Sequence, residues 1–302
     1  MRCFFVDYIA SQIYALFKRP KKNINHAEVE ALMANYTPEN IFSKHPLELI
    51  VSVTSYPERM PDIHYTLFSL FNQSEKADRI ILWLAEEQFP NKEQDLPQKV
   101  LDFKKYGLEI EWCHDIRSYK KLIPTINKYP NAVIVTADDD IWYPRDWLKK
   151  LYAAYLEDPF SIIGHRGHRI KLKNGKVAPY SQWRKNILAM WPRYDNFVTG
   201  CGGVLYPPRS LYKDVCKEDL FQKLAPYADD IWFWAMAVLN DTKIKNIPYR
   251  MHKMTYVNLV REKRQTDENT LAKINITNGG NDRQLKQVIE AYPELKSKIG
   301  LK

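Results

Sequence analysis

Cysteine is scarce in this sequence. Its 302 residues include four cysteines, at positions 3, 113, 201 and 216. They form no CxxC pair and have no zinc-finger spacing, which argues against a structural zinc site and against a disulfide framework. This cysteine usage is typical of a protein of the reducing cytoplasm.

Long hydrophobic runs and internal repeats are also missing. The most apolar N-terminal stretch, residues 1–17, contains Asp7 and Gln12 and is too short to span a bilayer. A basic block at residues 18–22 follows it, which is the reverse of a signal peptide. The pattern predicts an interfacial helix with a polybasic flank on the inner face of the cytoplasmic membrane. A helix packed on the protein's own surface is the alternative.

The composition is that of a globular protein. Hydrophobic residues make up 45% of the chain and aromatic residues 13%, which is ample for a core and excludes a disordered chain. The net charge of +9 is spread along the sequence. It suits anionic partners such as phosphates, nucleotides or anionic lipid, although a merely basic, soluble surface explains it equally well. No nucleic-acid-binding motif is present.

Strands and helices alternate from about residue 47 onward. Apolar runs at residues 49–53, 79–84, 108–112 and 132–137 have the length of strands, and amphipathic segments separate them. This order predicts an α/β fold with a mixed, mostly parallel sheet, helices on both faces, and ligands at the carboxyl ends of the strands. We expect a membrane-proximal segment and linker at residues 1–46, a catalytic domain at 47–265 and a helical extension at 266–302.

Three carboxylates directly follow the fourth apolar strand. Asp138 and Asp140 are alternate residues and share one side of an extended segment, where they suit Mg²⁺ or Mn²⁺. The alternative is an acidic turn that caps the next helix.

A second acidic pair, Asp229 and Asp230, opens a hydrophobic helix. We expect Asp230 to act as a general base, with Asp229 beside it; capping by both residues is the alternative. Three glycines at positions 200, 202 and 203 predict a close approach of the backbone to a ligand or a neighbouring strand, or a purely structural bend.

A cationic group follows the third strand. Arg117, Lys120 and Lys121 are placed to meet a diphosphate, and Asp115 to accept hydrogen bonds from a base or ribose. At least one of these lysines is expected to stay on the solvated surface. His252 is a weaker candidate for a third metal ligand, since a lone histidine is more often structural.

The motifs, taken in order, resemble a known family. Val51–Tyr56, Thr136–Pro144, Thr199–Pro207 and Ala228–Phe233 are similar to the GT-A nucleotide-sugar glycosyltransferases, and more narrowly to bacterial capsule and lipopolysaccharide transferases. The resemblance covers residues 49–282. It implies metal binding by Asp138 and Asp140, base catalysis by Asp230, and a nucleoside, usually uridine, held by residues 54–56 and Asp115. Asp229 stands where many inverting relatives have Glu.

The resemblance implies a metal-dependent, inverting transferase. It would move a hexose from a UDP-sugar to a polyprenyl-diphosphate-linked or oligosaccharide acceptor in surface polysaccharide synthesis. The chain lacks the Gln-x-x-Arg-Trp signature of processive synthases, which favours transfer of a single sugar. The residues expected to bind the donor are Thr54, Ser55, Tyr56, Arg59, Asp115, Arg117, Lys121, Asp139, Gly202 and Gly203.

Two other functions fit the same residues. A nucleotidyltransferase or phosphate-ester hydrolase also uses clustered carboxylates to hold metal ions. A non-catalytic, basic membrane-associated module is the other alternative.

Overall fold

The computed structural model describes residues 22–37, 43–187, 191–247, 255–264 and 273–301. The strands are β1 (Lys22–Asn23), β2 (Leu49–Thr54), β3 (Arg79–Ala85), β4 (Leu108–Cys113), β5 (Val133–Ala137), β6 (Ile141–Trp142), β7 (Ile162–Gly164), β8 (Gly167–Arg169), β9 (Leu172–Lys173), β10 (Lys176–Val177), β11 (Asn196–Val198), β12 (Val204–Tyr206), β13 (Ile244–Asn246) and β14 (Thr255–Tyr256).

The α-helices are α1 (His26–Ala34), α2 (Ile63–Phe71), α3 (Gln98–Leu101), α4 (Ile123–Lys128), α5 (Trp147–Glu157), α6 (Glu218–Leu224), α7 (Asp229–Leu239), α8 (Leu259–Arg264), α9 (Gly280–Ala291) and α10 (Glu294–Lys298). Short 3₁₀ turns include Pro57–Arg59, Arg117–Lys121 and Gly200–Gly202.

Seven strands form the central sheet, in the order β13-β7-β12-β5-β2-β3-β4. Neighbouring strands are parallel except at β12, which runs antiparallel to both β5 and β7. The predicted fold class, α/β with a mixed and mostly parallel sheet, is confirmed.

The central strands are mostly apolar because both faces of the sheet are covered, and the buried Ser52 of β2 forms a hydrogen bond with Thr125 Oγ1 at 2.8 Å. In β2, Leu49, Val51 and Val53 pack with α2 and α5 on one face, whereas Ile50 faces the core that contains α4 and α7. Alternate residues of a strand point to opposite faces, so a sheet between two helical layers needs continuous rather than alternating hydrophobic residues. This explains why the apolar runs predicted the strands well.

The strand ends converge on one edge of the sheet. Val204, the first residue of β12, is paired with Thr136 of β5 and with Gly164 of β7. The start of the antiparallel strand therefore meets the carboxyl ends of its parallel neighbours. The acidic triplet after β5, the glycine segment before β12 and the loop after β7 are thus brought side by side.

Segments from both ends of the chain pack on this core. β1 pairs with β14, and β14 pairs with β6 directly after the acidic triplet. Ile24 and Val29 are buried in the core, so residues 22–34 of the predicted N-terminal segment and linker lie against the central α/β fold. The C-terminal helices α9 and α10 pack on α7.

Two of the predictions concern residues outside the described ranges. The predicted interfacial helix at residues 1–17, with all of its basic flank except Lys22, lies there, and so does the predicted metal ligand His252. Among the described helices, none combines the length and hydrophobicity needed to cross a membrane.

Gly203 provides a test of packing beside this edge. It has φ +86, and a Cβ there would overlap the indole of Trp147. Gly175 has φ +70 with nothing within 4 Å of an added Cβ. We expect Gly175→Ala to lower the free energy of unfolding by about 1 kcal/mol through backbone strain alone. Gly203→Ala should cost about 1–3 kcal/mol more because it adds a steric overlap. Urea denaturation of both variants measures the difference, and equal losses would contradict the packing role of Gly203.

Candidate active site

The acidic triplet is held by side chains from the loop after β2. Ser55 Oγ donates to Asp139 Oδ2 at 2.5 Å, and Arg59 Nη1 lies 3.2 Å from Asp140 Oδ2. Burial raises the pKa of Asp139, although Arg59 and Ser55 oppose this shift. Asp139 and Asp140 both contact Arg59, whereas Asp138 turns toward Lys121. The prediction that Asp138 and Asp140 share one side of an extended segment is therefore wrong, because the chain turns at residues 139–140.

Lys121 lies between the two acidic motifs. Its Nζ is 3.1 Å from Asp138 Oδ1 and 3.1 Å from Asp229 Oδ2, so these two oxygens lie within twice that distance of each other. Burial opposes a charge on Lys121, but Asp138, Asp229 and Asp230 together raise its pKa well above the usual value. The ammonium is thus charged and joins two acidic motifs that are far apart in sequence.

Asp230 is turned toward the glycine segment. Its Oδ1 accepts a hydrogen bond from the Gly200 backbone N–H at 3.0 Å. Burial, followed by the neighbouring Asp229, raises the pKa of Asp230 to about 7, while Lys121 and the Gly200 N–H act in the opposite direction. A carboxyl group poised near neutral pH is suited to accept a proton at that pH.

The capping alternatives are not borne out. Ala228 occupies the N-cap position of α7, and no side chain makes a capping hydrogen bond there. The N-cap of α5 is Asp146, whose side chain makes no capping hydrogen bond to the helix backbone, and the acidic triplet lies before that helix. Neither acidic motif is explained by helix capping.

The three glycines have different surroundings. A Cβ on Gly200 would lie 2.7 Å from Lys121 Nζ and 3.3 Å from Asp230 Oδ1, so a side chain there would intrude on the acidic cluster. A Cβ on Gly202 would lie 2.7 Å from Arg166 Cβ, and Gly203 faces Trp147. Gly200 therefore faces the site most directly, whereas contact of Gly202 and Gly203 with a donor stays a prediction.

The cationic group after β4 divides into two parts. Lys120 pairs with Asp115, and Lys121 enters the acidic cluster. Both lysines are buried, with 3% and 7% of their surface exposed, so the expectation that at least one stays solvated is wrong. Asp115 is partly buried, and this burial alone would raise its pKa. The hydrogen bond from Lys120 has the opposite effect and holds the pKa of Asp115 below its usual value.

The predicted nucleoside residues line the same sheet edge. Asp115 also accepts from Gln88 Nε2 at 2.9 Å and from the Arg117 N–H at 2.9 Å. Arg117, at φ +55, directs its guanidinium to Gln222 and over the Tyr227 ring. Thr54 Oγ1 donates to the Trp83 carbonyl at 2.9 Å, and Tyr56 Oη accepts from Arg59 Nε at 3.2 Å. A nucleoside role for Thr54, Tyr56 and Asp115, and a diphosphate role for Arg117, stay predictions.

Two contributors have no sequence signal of their own. The Tyr143 hydroxyl accepts a hydrogen bond from the Asp138 N–H at 2.8 Å and fixes the start of the triplet. Arg166 Nη1 donates to Thr199 Oγ1 at 2.7 Å, which places a cation beside the glycine segment. Both depend on contacts between separate elements, which residue spacing does not reveal.

The chemistry of the site fits a hard divalent cation. Within the part of the chain that the structure describes, five carboxylates, from residues 138–140, 229 and 230, meet two cations that pair with them directly, Arg59 and Lys121. Carboxylate oxygens in negative excess suit Mg²⁺ or Mn²⁺, which commonly completes its shell with water and phosphate. Within the described part of the chain, no group of three or more acidic, His or Cys side chains is arranged to hold a metal. Metal binding by Asp138 and Asp140 stays a prediction.

Comparisons with known proteins concern the fold. No family model and no curated protein matches the chain. It is similar to residues 1–349 of S. aureus TarS, with TM-score 0.44, 16% identity, and coverage of 70% of this chain and 59% of that one. It is also similar to the mannosyltransferase PcManGT from Pyrobaculum calidifontis, in complex with GDP-Man and Mn²⁺. The TM-score is 0.45 and the sequence identity 13%, and the match covers 95% of this chain and 82% of that one. The inositol-1-phosphate CTP transferase from T. maritima matches with a TM-score of 0.40 and 14% identity, over 68% of this chain and 87% of that one.

Removal of the Lys121 charge tests how far the cluster depends on it. We expect Lys121→Met to lower the free energy of unfolding by about 3–5 kcal/mol, because buried carboxylates lose their counter-ion. The variant's carboxyl groups should have higher pKa values when folded than when unfolded, so the loss should be larger at about pH 8 than at about pH 5.

Urea denaturation in EDTA at both pH values measures this effect. Lys128→Met is the control, because Lys128 forms an exposed pair with Glu111 at 2.7 Å, and its loss should cost less than about 1 kcal/mol. A Lys121→Met penalty that does not change with pH would contradict the proposed charge balance.

Proposed function

We propose that this protein is a nucleotide-sugar-dependent glycosyltransferase in which Asp230 is the general base. The supporting observation is the shared contact of Lys121 with Asp138 and Asp229. This contact brings the acidic residues expected at the donor phosphates next to the carboxyl group expected at the acceptor hydroxyl. Transfer between two substrates needs these two groups at neighbouring positions.

Asp230 is held in the form that the reaction requires. As the acceptor oxygen bonds to the anomeric carbon, the bond from that carbon to the diphosphate oxygen breaks, and Asp230 takes the hydroxyl proton. The Gly200 N–H orients the carboxylate, and the pKa of about 7 keeps it basic enough to accept a proton yet mostly ionised above neutrality. Direct attack of this kind inverts the anomeric configuration.

Departure of the diphosphate is assisted by positive charge. Lys121 and Arg59 lie at the acidic triplet and can stabilise the charge that grows on the leaving group. A divalent ion bound by Asp138 and Asp140 would supply further Lewis-acid stabilisation. In the absence of a donor, the triplet keeps both cations in place and oriented.

The finer assignments follow from the motif resemblance. We propose a UDP-hexose as donor, a polyprenyl-diphosphate-linked or oligosaccharide acceptor, and a role in bacterial surface polysaccharide synthesis. The basic segment at residues 18–22 supports peripheral contact with an anionic inner membrane surface. Asp115, Thr54 and Tyr56 are the proposed nucleoside contacts, and His252 stays a proposed additional metal ligand.

Asp230→Asn tests the base. We expect transfer to fall by about 10²- to 10⁴-fold, with donor affinity retained. In the wild-type protein, transfer should rise with pH and level off above about pH 8, because Asp230 must lose its proton to act. The variant should lack this rise. The rates of UDP release and of sugar transfer are measured from about pH 5.5 to 9. If the pH profile of Asp230→Asn matched that of the wild-type protein, the assignment of Asp230 as the base would be contradicted.

A thermal-shift panel tests donor and metal together. We expect UDP-sugars to raise the melting temperature with Mn²⁺ present, and GDP-, CMP- and dTDP-sugars to raise it less, because a ligand specific for the folded form stabilises it. Asp140→Asn should lose the Mn²⁺-dependent part of the shift. Asp146→Asn is the matched control, since Asp146 pairs with Lys150 on the exposed start of α5. Release of pyrophosphate or inorganic phosphate instead of UDP would contradict glycosyl transfer.

A further inference from the structure

Among the described residues, two partly buried cations near the acidic cluster lack a carboxylate partner. Arg166 donates to uncharged atoms, Thr199 Oγ1 at 2.7 Å and Cys201 Sγ at 3.4 Å. The Lys185 Nζ atom is buried and has no hydrogen-bond acceptor within the described ranges; it lies 3.1 Å from the centre of the Tyr180 ring. Within the described ranges, no Asp or Glu oxygen reaches ion-pair distance of either side chain.

Asp282, an acidic group close enough to act on the pKa of Lys185, is already engaged. Asp282 Oδ1 accepts the Tyr180 backbone N–H at 2.7 Å and is not within ion-pair distance of Lys185. Burial, together with the positive charge of Arg166, lowers the pKa of Lys185 to about 8. Burial of a cation without an anion is costly, and the ring contact offsets only part of the cost. An arrangement of this kind is expected where a ligand supplies the missing negative charge.

The position of these cations separates them from the donor residues. Arg166 follows β7, which lies two strands from β5 on the side opposite β2, β3 and β4. The predicted nucleoside loops follow β2 and β4, so the acidic triplet lies between them and Arg166. Tyr180, in contact with Lys185, is near enough to Asp230 for that carboxylate to raise the pKa of its hydroxyl, although burial is the larger cause. The cations therefore lie on the side of the proposed base that is remote from the nucleoside.

We propose that Arg166 and Lys185 form a binding site for an anionic group, a phosphate or a carboxylate, on the acceptor substrate. The site extends the proposed function, because it makes the acceptor an acidic or phosphorylated saccharide rather than a neutral sugar. Bound there, the anion neutralises both cations and holds the acceptor beside Asp230. The rings of Tyr180 and Trp183 lie next to Lys185, with their ring centres 4.9 Å apart, and would form one wall of the site.

Direct binding of simple probes tests the site without knowledge of the acceptor. The probes are inorganic phosphate, methyl β-glucuronide and the neutral methyl β-glucoside, titrated at constant ionic strength in EDTA with tryptophan fluorescence and melting temperature as readouts. We expect phosphate or the glucuronide to bind the wild-type protein, and the probe that binds identifies the anion. The glucoside should bind at least 10-fold more weakly.

Lys185→Met should weaken anion binding at least 10-fold, whereas Lys185→Arg should retain it. Lys176→Met is the matched control, because it removes the same charge from the exposed strand β10 of the same region. Without an anion, Lys185→Met should melt at or above the wild-type temperature, since it removes a buried, unneutralised charge. Unchanged anion binding by Lys185→Met would overturn the proposal, as would equal binding of the glucoside.

Donor titrations separate this proposal from the proposed function. With UDP-glucose and Mn²⁺, Lys185→Met should keep the wild-type donor affinity. A loss of donor affinity equal to the loss of phosphate affinity would assign the cations to the donor diphosphate and overturn the acceptor assignment. If the wild-type protein binds no nucleotide sugar but still binds phosphate through Lys185, the glycosyltransferase proposal fails and the anion site stands.

Discussion

The Lys121 ammonium is the constraint on which the candidate site depends. It is buried between Asp138, which follows β5, and Asp229, which opens α7. Without it, the carboxylates that these two elements bring together would repel one another in a region of poor solvation. A single cation thus permits the sheet edge and the helix to approach. It also sets how much of the negative charge of these carboxylates is left unneutralised by the protein.

The same charge balance explains the difference between the two aspartates of α7. Asp229 contacts Lys121 directly, whereas Asp230 receives a neutral N–H from Gly200 and is influenced by the lysine only at a distance. Burial raises the pKa of Asp230 to about 7, which makes this carboxylate a stronger base than an exposed one. The protein therefore divides two adjacent, chemically identical residues into a structural partner of Lys121 and a group suited to take up a proton.

The sequence predicts the fold and the centre of the site better than its margins. Apolar runs identify strands because both faces of the sheet are buried, and Asp138 to Asp140 stand out because they end such a strand. The separate roles of Lys120 and Lys121 depend on a 3₁₀ turn that begins with Arg117 at φ +55. No pattern of residues in the sequence predicts this turn. Arg166 meets Thr199 because β8 pairs antiparallel with β11, with Gly167 opposite Val198, and the Thr199 N–H donates to the Arg166 carbonyl at 2.9 Å.

The distance between the acceptor-side cations and Asp230 has a chemical reason. If Arg166 or Lys185 paired directly with Asp230, the ion pair would lower the pKa of the carboxyl group and remove its basicity. Thr199, Cys201 and Tyr180 engage the two cations instead, so their charges lie near the base but do not neutralise it. A bound anion would satisfy these cations and shield Asp230 from them. On this view, the positive charge beside the site attracts one substrate, while the negative centre remains able to accept a proton.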